Sequence, residues 1–303
     1  MIIHTDLYDI YGTFIAKKGE KLTKRLLTKI ANIPTKKSSI HLLRNSFIYR
    51  DMLKASRDPK YNTMLGSEKE KKRILSSISM VLLENGVLKE LANMKKILPY
   101  TYYHELIVCL LTIKISNFLN IKKLDIKIAA YGAMTHDLGK TRIPKYILKK
   151  KTPLTIPEYE LLRTHPTLGY LLLSHYAKKT KNNKAILSSY QHHEKLDASG
   201  YPNNLKRIDI YAQIVSVADI LDALLAKRPY RKKQFKLRSA LDYLLDEAND
   251  GKISKKIVFT LISLSRKTKP DLKHLVVSKT KRLKPPSDNI YGSIQSKDAH
   301  HLI

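Results

Sequence analysis

The sequence predicts a mainly α-helical protein, in which a small N-terminal module of mixed or helical structure precedes an all-α helical bundle. From Ile74 onward the apolar residues recur mainly at helical spacing. The clearest apolar stripe comprises Ile107, Val108, Leu111, Ile115 and Phe118. A helix start signal near Thr155 and a second apolar repeat over residues 211–225 extend the pattern toward the C-terminus.

The N-terminal segment mixes short β-branched stretches with turn signals and a helical stretch from Leu22 to Ile33. Residues 56–72 are polar and are broken by Pro59 and Gly66. This composition indicates a linker or exposed turn and a candidate internal boundary.

The helical pattern and the composition together predict three parts of the chain. An N-terminal module of unassigned role covers residues 1–95, and the helical domain covers residues 96–267. Residues 268–303 are rich in Lys, Pro, Ser and Asp without periodicity. They are therefore expected to form a basic, mobile tail.

Two helices of the predicted domain contain polar residues of interest. Thr155, with Pro157 and Glu158 close behind, predicts a helix that runs to His165, where Pro166 interrupts it. On this interpretation His165 ends a turn. The apolar repeat over residues 211–225 contains Asp219 and Asp222, and carboxylates in such a helix need partners.

The net charge is +31, from 57 Lys and Arg against 26 Asp and Glu, and such a charge attracts polyanions. Most of it fits lysines spread over solvated faces, as in the run Lys149-Lys150-Lys151. The sequence has no zinc-finger spacing, RNP-like aromatic motif or basic leucine-zipper pattern. We therefore expect no specific nucleic-acid binding.

The apolar runs are far shorter than the roughly 20 residues that a membrane-spanning helix needs, so no membrane span is predicted. The first residues show no export signal. The single cysteine, Cys109, lies in an apolar stretch and can form no internal disulfide, which agrees with a reducing compartment. We therefore expect a cytoplasmic protein with Cys109 in its core.

The dipeptide His136-Asp137 is the first candidate metal-binding motif. A carboxylate has two oxygens and can bridge two cations, whereas an imidazole offers one nitrogen to one metal. Lys140, on a continuing helical turn, would lie beside the pair and place an ammonium near an anionic substrate. Taken alone, the dipeptide fits a capped helix end better than a metal site.

Other residues extend this motif, although His104 and His165 taken singly fit buried, hydrogen-bonded core histidines better than metal ligands. His192 and His193 are neighbours just before a turn, and Asp219 has no Lys or Arg beside it in sequence. Five histidines and two carboxylates can give two cations three or four ligands each. Nitrogen and oxygen donors without thiolate favour iron, manganese, cobalt, nickel or zinc over calcium.

The ordered set of these residues resembles the bacterial HD-GYP phosphodiesterases over roughly residues 98–265. The shared pattern comprises His104, His136-Asp137-Leu138-Gly139-Lys140, Ile143-Pro144, Leu154-Thr155, His165, His192-His193-Glu194, Gly200-Tyr201-Pro202, Asp219 and Arg228-Pro229-Tyr230-Arg231. The resemblance implies an all-α HD-domain fold, cyclic di-GMP as substrate and a metal pair bridged by Asp137.

The resemblance also implies a role for each residue. One metal would be held by His104, His136 and Asp219, and the other by His165, His192 and His193. Asp137 and Lys140 would be catalytic, with Lys140 on phosphate. The substrate or its pocket would contact Gly200, Tyr201, Pro202, Arg228 and Arg231. Without the resemblance, the two arginines also fit surface ion pairs. The Gly200-Tyr201-Pro202 segment then also fits a tight turn with a packed aromatic ring.

Three departures from the family pattern bear on the site. Members with three metals carry a glutamate four residues before the first histidine, where this chain has Tyr100, so two divalent ions are expected, iron or manganese first. Ala198 and Asn204 stand where the family has glycine. Asparagine tolerates a positive φ better than alanine does, so Ala198 is expected to affect the loop more.

The predicted function is hydrolysis of cyclic di-GMP by a metal-bridging hydroxide, which gives the linear dinucleotide, GMP or both. Two alternatives stay open at this point. One is a non-catalytic receptor or scaffold for cyclic di-GMP, and the other is an HD phosphohydrolase that acts on another nucleotide. Signalling proteins such as diguanylate cyclases, and a second copy of the chain, are further candidate partners.

Overall fold

The computed structural model describes residues 2–35, 39–177, 183–226 and 234–278. Helices dominate this part of the chain, which confirms the predicted fold class. Two small antiparallel sheets accompany them near the N-terminus. The first sheet pairs β1 (Leu7–Tyr8) with β2 (Phe14–Ala16), and the second pairs β3 (Ile40–Leu42) with β4 (Leu82–Glu84).

The helices of the N-terminal part surround these strands. They are α1 (Lys24–Asn32), α2 (Phe47–Ala55), α3 (Asn62–Leu65), α4 (Glu68–Ile78) and α5 (Asn85–Ile97), with a 3-10 turn at Pro59–Tyr61 between α2 and α3. Helix α1 begins where the hydroxyl of Thr23 accepts a hydrogen bond from the N–H of Leu26, an ordinary N-cap.

The helical domain follows directly. Its helices are α6 (Pro99–Phe118), α7 (Lys123–Thr135), α8 (Lys145–Leu148), α9 (Ile156–Leu162), α10 (His165–Tyr176), α11 (Asn183–Gln191), α12 (Ile210–Leu225), α13 (Leu237–Asn249) and α14 (Lys255–Leu264), with a 3-10 turn at Leu138–Arg142 after α7. Every residue from His104 to Ser116 is buried, because α6 packs against α7, α12, α5 and α2. A helix that is apolar all round in this way is a central helix of the core.

One hydrophobic core runs from Ile3 in the N-terminal segment to Leu264 at the end of α14. Cys109 lies within it, as the sequence predicted. The boundary between residues 1–95 and 96–267 remains a prediction. Within the described residues, no helix combines the length and the apolarity that crossing a membrane requires.

Residues 56–72 differ from the exposed linker that their composition predicted. Asp58 caps the 3-10 turn, and Ser67 begins α4 with a capping box. Tyr61, Met64 and Leu65 between them are buried in the core. Two of the polar residues are therefore helix caps, and apolar residues between them face the core.

Pro166 was also misjudged from sequence. Helix α9 begins with a capping box of Thr155 and Glu158, as predicted, and ends at Leu162. Pro166 then lies in the first turn of α10, which begins at His165. Proline is tolerated there because the first N–H groups of a helix have no intrahelical partner. His165 thus begins a helix rather than ending a turn.

The first sheet is joined to the domain by a buried polar network. The Nε of Arg142 donates to the carbonyl oxygen of Tyr8 at 3.1 Å, and its guanidinium forms two hydrogen bonds with the buried carboxylate of Glu90. The hydroxyl of Tyr176 donates to the same carboxylate at 3.0 Å. The N-terminal hairpin therefore contacts the turn that follows α7.

The predicted tail over residues 268–303 is described only as far as residue 278. Lys269, at its start, donates to the carboxylate of Glu70 at 2.9 Å. Residues 279–303 lie outside the described part of the chain.

Candidate metal centre

The seven predicted ligand residues come from five helices or helix ends and meet inside the domain. They are His104 on α6, His136 and Asp137 after α7, His165 at the start of α10, His192 and His193 after α11, and Asp219 on α12. All are buried except His193, which is half-buried. They fall into two adjoining clusters.

The first group, called here the His104 cluster, contains His104, His136 and Asp219. His104 Nε2 lies 2.9 Å from Asp219 Oδ1, and His136 Nε2 lies 4.0 Å from the same oxygen. One donor atom from each of the three residues lies within 4.8 Å of the others. A single cation can therefore be reached by all three.

The second group, called here the His165 cluster, contains His165, His192, His193 and Asp137. The Nε2 atoms of His165 and His192 are 3.3 Å apart. Asp137 Oδ1 lies 3.2 Å from His165 Nε2 and 3.6 Å from His192 Nε2. The ring centroids of His192 and His193 are 4.1 Å apart, so all three imidazoles converge on one place.

Asp137 joins the two clusters. Its Oδ1 faces the His165 cluster, whereas its Oδ2 lies 3.8 Å from His136 Nε2 in the His104 cluster. The Nζ of Lys140 lies 2.5 Å from Oδ2, because the 3-10 turn after Asp137 brings position 140 back beside it. The sequence predicted this position for Lys140.

Carboxylates face the outer nitrogens of the His104 cluster. His104 Nδ1 lies 2.5 Å from Asp222 Oδ2. His136 Nδ1 donates to the carbonyl of Ala133 at 2.9 Å and also lies 2.7 Å from Glu105 Oε2, whose partner oxygen, Oε1, accepts the N–H of Asp137 at 2.8 Å. Carboxylate and carbonyl oxygens only accept hydrogen bonds, so Nδ1 carries a proton in both rings and Nε2 turns toward the cluster.

In the His165 cluster, main-chain carbonyls accept from the outer nitrogens of both His165 and His192. His165 Nδ1 donates to the carbonyl of Leu162 at 2.7 Å. His192 Nδ1 lies 3.1 Å and 3.0 Å from the carbonyls of Ser188 and Ser189. These contacts select the same tautomer as in the first cluster, with a neutral rather than an anionic acceptor.

The pKa shifts of the histidines differ between the two clusters, because carboxylates outweigh burial in one and burial dominates in the other. Burial alone would lower the pKa of His136, but nearby carboxylates, Glu105 foremost, raise it to about 10. The pKa of His104 is also raised, because hydrogen bonds to Asp219 and Asp222 outweigh its burial. Burial lowers the pKa of His165 to about 4 and holds that of His193 well below its usual value.

The donor set fits divalent transition metal ions. His136 Nε2 is a buried nitrogen without a hydrogen-bond partner in the described structure, and it faces the carboxylates of Asp137 and Asp219. A buried polar atom of this kind is costly unless something binds it. Imidazole and carboxylate donors suit iron, manganese, cobalt, nickel or zinc. The clusters can therefore hold metal ions.

The Gly200-Tyr201-Pro202 loop supports the His165 cluster. The ring of Tyr201 stacks on that of His193, with centroids 4.7 Å apart and 19° between planes. A Cβ on Gly200 would lie 2.3 Å from the N atom of Lys195, so only glycine fits at that position. Pro202 follows directly in the same loop, half-buried like Tyr201.

Ala198 and Asn204 both have positive φ, at 68° and 56°. The side chain of Asn204 donates to the carbonyls of Ala198 and Gly200 at 3.2 Å and 2.7 Å. Ala198 therefore lies in a backbone region that favours glycine, and its expected effect on the loop stays a prediction. Arg228 and Arg231, the other predicted substrate contacts, lie outside the described residues.

Sequence reasoning did not assign a role to four residues that orient the site, although it had noted Asp222 and Glu194. Glu105 and Asp222 hold the two histidines of the His104 cluster, and Tyr61 donates to Asp222 from the N-terminal segment. Glu194 accepts the N–H groups of residues 203 and 205 and so anchors the loop. The signal for Asp222 was present, since it is a second carboxylate in an apolar helix.

A helical bundle whose buried histidines and aspartates form two adjoining clusters defines a protein built to bind metal ions. The sequence pattern of one family, described as the HD domain, matches residues 86–257. This match covers more than half of the chain. The chain therefore belongs to the HD domain family.

Curated relatives narrow the comparison. The cyclic di-GMP phosphodiesterase response regulator RpfG of Xanthomonas campestris is 39% identical over 128 residues, which cover 42% of this chain and 33% of that protein. A cyclic di-GMP phosphodiesterase of Pseudomonas aeruginosa is 33% identical over 154 residues, covering 50% and 37%. The 3'3'-cGAMP-specific phosphodiesterase 2 of Vibrio cholerae is 40% identical over 98 residues, covering 32% and 19%.

The matched segments span less than half the length of these three relatives. They nevertheless confirm the resemblance to the HD-GYP phosphodiesterases that the sequence motifs predicted.

Proposed function

We propose that this chain hydrolyses the phosphodiester bonds of a cyclic dinucleotide, cyclic di-GMP first, with two divalent transition metal ions. The observation that carries the proposal is the position of Asp137 between the two clusters, with one carboxylate oxygen toward each. Sites for two neighbouring cations of this kind are typical of phosphodiester hydrolysis.

Each cluster supplies three ligands besides Asp137. His104, His136 and Asp219 would hold one ion, and His165, His192 and His193 the other. When bound, the ions would stabilise negative charge on the phosphate and lower the pKa of a water molecule. The outer carboxylates and carbonyls keep each Nε2 lone pair directed inward.

Lys140 is placed to contact the phosphate with its positive charge. Its side chain is 23% exposed, while Asp137 beneath it is fully buried, so its ammonium lies at the boundary between site and solvent. An ammonium has three donors, and the contact with Asp137 uses one of them. A second donor on a non-bridging phosphate oxygen would stabilise the charge that develops during hydrolysis.

The substrate class follows from the relatives, which are named for cyclic di-GMP or 3'3'-cGAMP. A 3'3'-cGAMP phosphodiesterase is therefore the second candidate function, favoured by the 40% identity to the enzyme of Vibrio cholerae. Both candidates use the same metal chemistry and differ only in the recognition of one base.

The test is to purify the full chain aerobically and anaerobically, measure its metals and incubate it with substrate. We expect two ions per chain, with iron or manganese supporting activity best. Cyclic di-GMP should give the linear dinucleotide, GMP or both, and 3'3'-cGAMP and nucleoside triphosphates serve as competing substrates. Two ions per chain with binding but no hydrolysis would favour a receptor, and turnover of triphosphates alone would favour another HD phosphohydrolase.

A further inference from the structure

A chain of hydrogen bonds leads from the N-terminal segment into the His104 cluster. Tyr61 is 1% exposed, and its hydroxyl donates to Oδ1 of Asp222. The other oxygen of Asp222 accepts from Nδ1 of His104 at 2.5 Å. Nε2 of the same ring lies 2.9 Å from Asp219 Oδ1. The Tyr61 hydroxyl is thus connected to the His104 ring, and so to its Nε2 atom, through the carboxylate of Asp222.

The turn that contains Tyr61 is fixed on α6 by a second contact. Oδ1 of Asp58 caps the turn by accepting the N–H of Lys60 at 3.0 Å. Oδ2 of Asp58 accepts from the hydroxyl of Tyr103 at 3.0 Å, and Tyr103 directly precedes His104 in α6. The turn therefore contacts α6 on one side and α12 on the other.

We propose that Tyr61 is a positioning residue of the metal centre, which holds Asp222 so that the His104 ring presents Nε2 to the cluster. The inference rests on the proposed two-metal function. It extends the working site beyond the matched region, since residue 61 precedes position 86.

The physical argument concerns the orientation of the Asp222 carboxylate, which lies 3% exposed on an apolar helix. The Tyr61 hydroxyl on Oδ1 restrains rotation of the carboxylate, so that Oδ2 stays in line with His104 Nδ1. An acceptor fixed in this way sets the ring orientation and raises the basicity of Nε2 toward a cation. Without the hydroxyl, Oδ1 loses a buried donor and the carboxylate can turn away from the ring.

Tyr61→Phe removes the hydroxyl and keeps the ring, and Tyr131→Phe is its matched control. Tyr131 is also 1% exposed and donates to a buried carboxylate, that of Glu84, at 2.8 Å rather than to a residue of the metal centre. Mn²⁺ affinity of the full chain is measured by competition with a chelator. Thermal unfolding is measured in EDTA and again in excess Mn²⁺.

Losing an outer partner of a metal ligand typically weakens metal binding 10- to 100-fold. For Tyr61→Phe we expect a loss of roughly 10-fold for one of the two ions, and no loss for Tyr131→Phe. Both variants should lose similar stability in EDTA, because both lose one buried hydrogen bond. Only Tyr61→Phe should gain less stability from Mn²⁺ than the parent chain does. Asp222→Asn tests the hydrogen bond between Tyr61 and Asp222 from the acceptor side. In the double variant, its loss of Mn²⁺ affinity should not add to that of Tyr61→Phe.

The inference is overturned if Tyr61→Phe binds both ions as tightly as Tyr131→Phe, or if the losses of Tyr61→Phe and Asp222→Asn add fully in the double variant. A parent chain that binds no Mn²⁺ would instead refute the proposed two-metal function. The two failures are therefore distinguishable.

Discussion

The two clusters of the candidate metal centre both combine histidines with one aspartate, but the groups beside the outer nitrogens of their imidazole rings differ. In the His104 cluster, the carboxylates of Asp222 and Glu105 lie beside the outer nitrogens of the rings, and His136 also donates to the carbonyl of Ala133. In the His165 cluster, main-chain carbonyls such as that of Leu162 accept from the outer nitrogens. The carboxylates of the first cluster are anionic and can be removed by mutation. The carbonyls are neutral and are fixed by the course of the helices.

This difference teaches how one fold can make two unequal cation sites. Anionic outer partners strengthen the ligand basicity of the imidazoles, so the His104 cluster should bind its ion more tightly. The His165 cluster relies on Asp137 for its single carboxylate and has a half-buried histidine, His193. We therefore expect its ion to be the more readily removed by a chelator.

The largest effect is expected where the clusters meet. Asp137→Ala removes the carboxylate that both share, so neither site stays complete, and metal content and hydrolysis should both be lost. Metal analysis and product detection check this. Asp250→Ala, whose side chain is 60% exposed, is the control and should keep two ions and full turnover. An active, metal-loaded Asp137→Ala protein would refute the shared site.

The next effect separates charge stabilisation from metal binding. Lys140→Ala should keep both ions but lower kcat by about 100-fold, the loss typical of one removed donor to a developing negative charge. Lys145→Ala, an exposed lysine on α8, serves as control. Steady-state kinetics with metal analysis measures the outcome, and loss of metal from Lys140→Ala would show that its contact with Asp137 is structural.

A third variant breaks the anionic support directly. Glu105→Gln removes the charge behind His136, and we expect roughly 10- to 100-fold weaker binding of one ion only. Chelator competition resolves the two ions. Glu84→Gln, at another buried carboxylate, should leave both affinities unchanged. Equal weakening of both ions in Glu105→Gln would mean that its contact with the N–H of Asp137 matters more.

A smaller effect tests the loop beneath the His165 cluster. Tyr201→Leu replaces the ring that stacks on His193, and the loss of an aromatic pair should cost roughly 0.5–1.5 kcal/mol of unfolding free energy. Tyr201→Phe keeps the ring and is the control. Denaturant unfolding in EDTA measures both variants, and equal stability of the two would show that the stacking contributes nothing.

The smallest effect is a gain. Ala198 has a φ of 68°, and an L-residue there loses roughly 1–2 kcal/mol that glycine does not lose. Part of this gain is offset, because glycine raises the conformational entropy of the unfolded chain. That entropy stabilises the unfolded state by roughly 0.4–1 kcal/mol. Ala198→Gly should therefore raise the unfolding free energy by roughly 0.8 kcal/mol, the difference between the centres of these two ranges. A lower Tm for this variant would contradict the expected strain.

The sequence predicted the helical fold and the residues of both clusters, because ordered histidines and aspartates form a recognisable pattern. It did not predict their supports. Glu105 follows His104 directly in the sequence, and the sequence does not show that the Glu105 carboxylate lies beside the outer nitrogen of His136. The carbonyls that accept from the His165 cluster have no sequence signature, since every residue has a main-chain carbonyl. Tyr61 lies in a polar segment, residues 56–72, whose composition resembles that of a linker because it contains helix-capping residues.

The pair between Arg142 and Glu90 has a consequence for how such proteins evolve by exchange of gene segments. Residues 86–257, the region recognisable as the family, carry both partners of this pair. A transfer of that region alone would leave behind the Tyr8 carbonyl on Arg142 and the Tyr61 hydroxyl on Asp222. The hydrogen-bonded unit is therefore longer than the region that the family pattern matches.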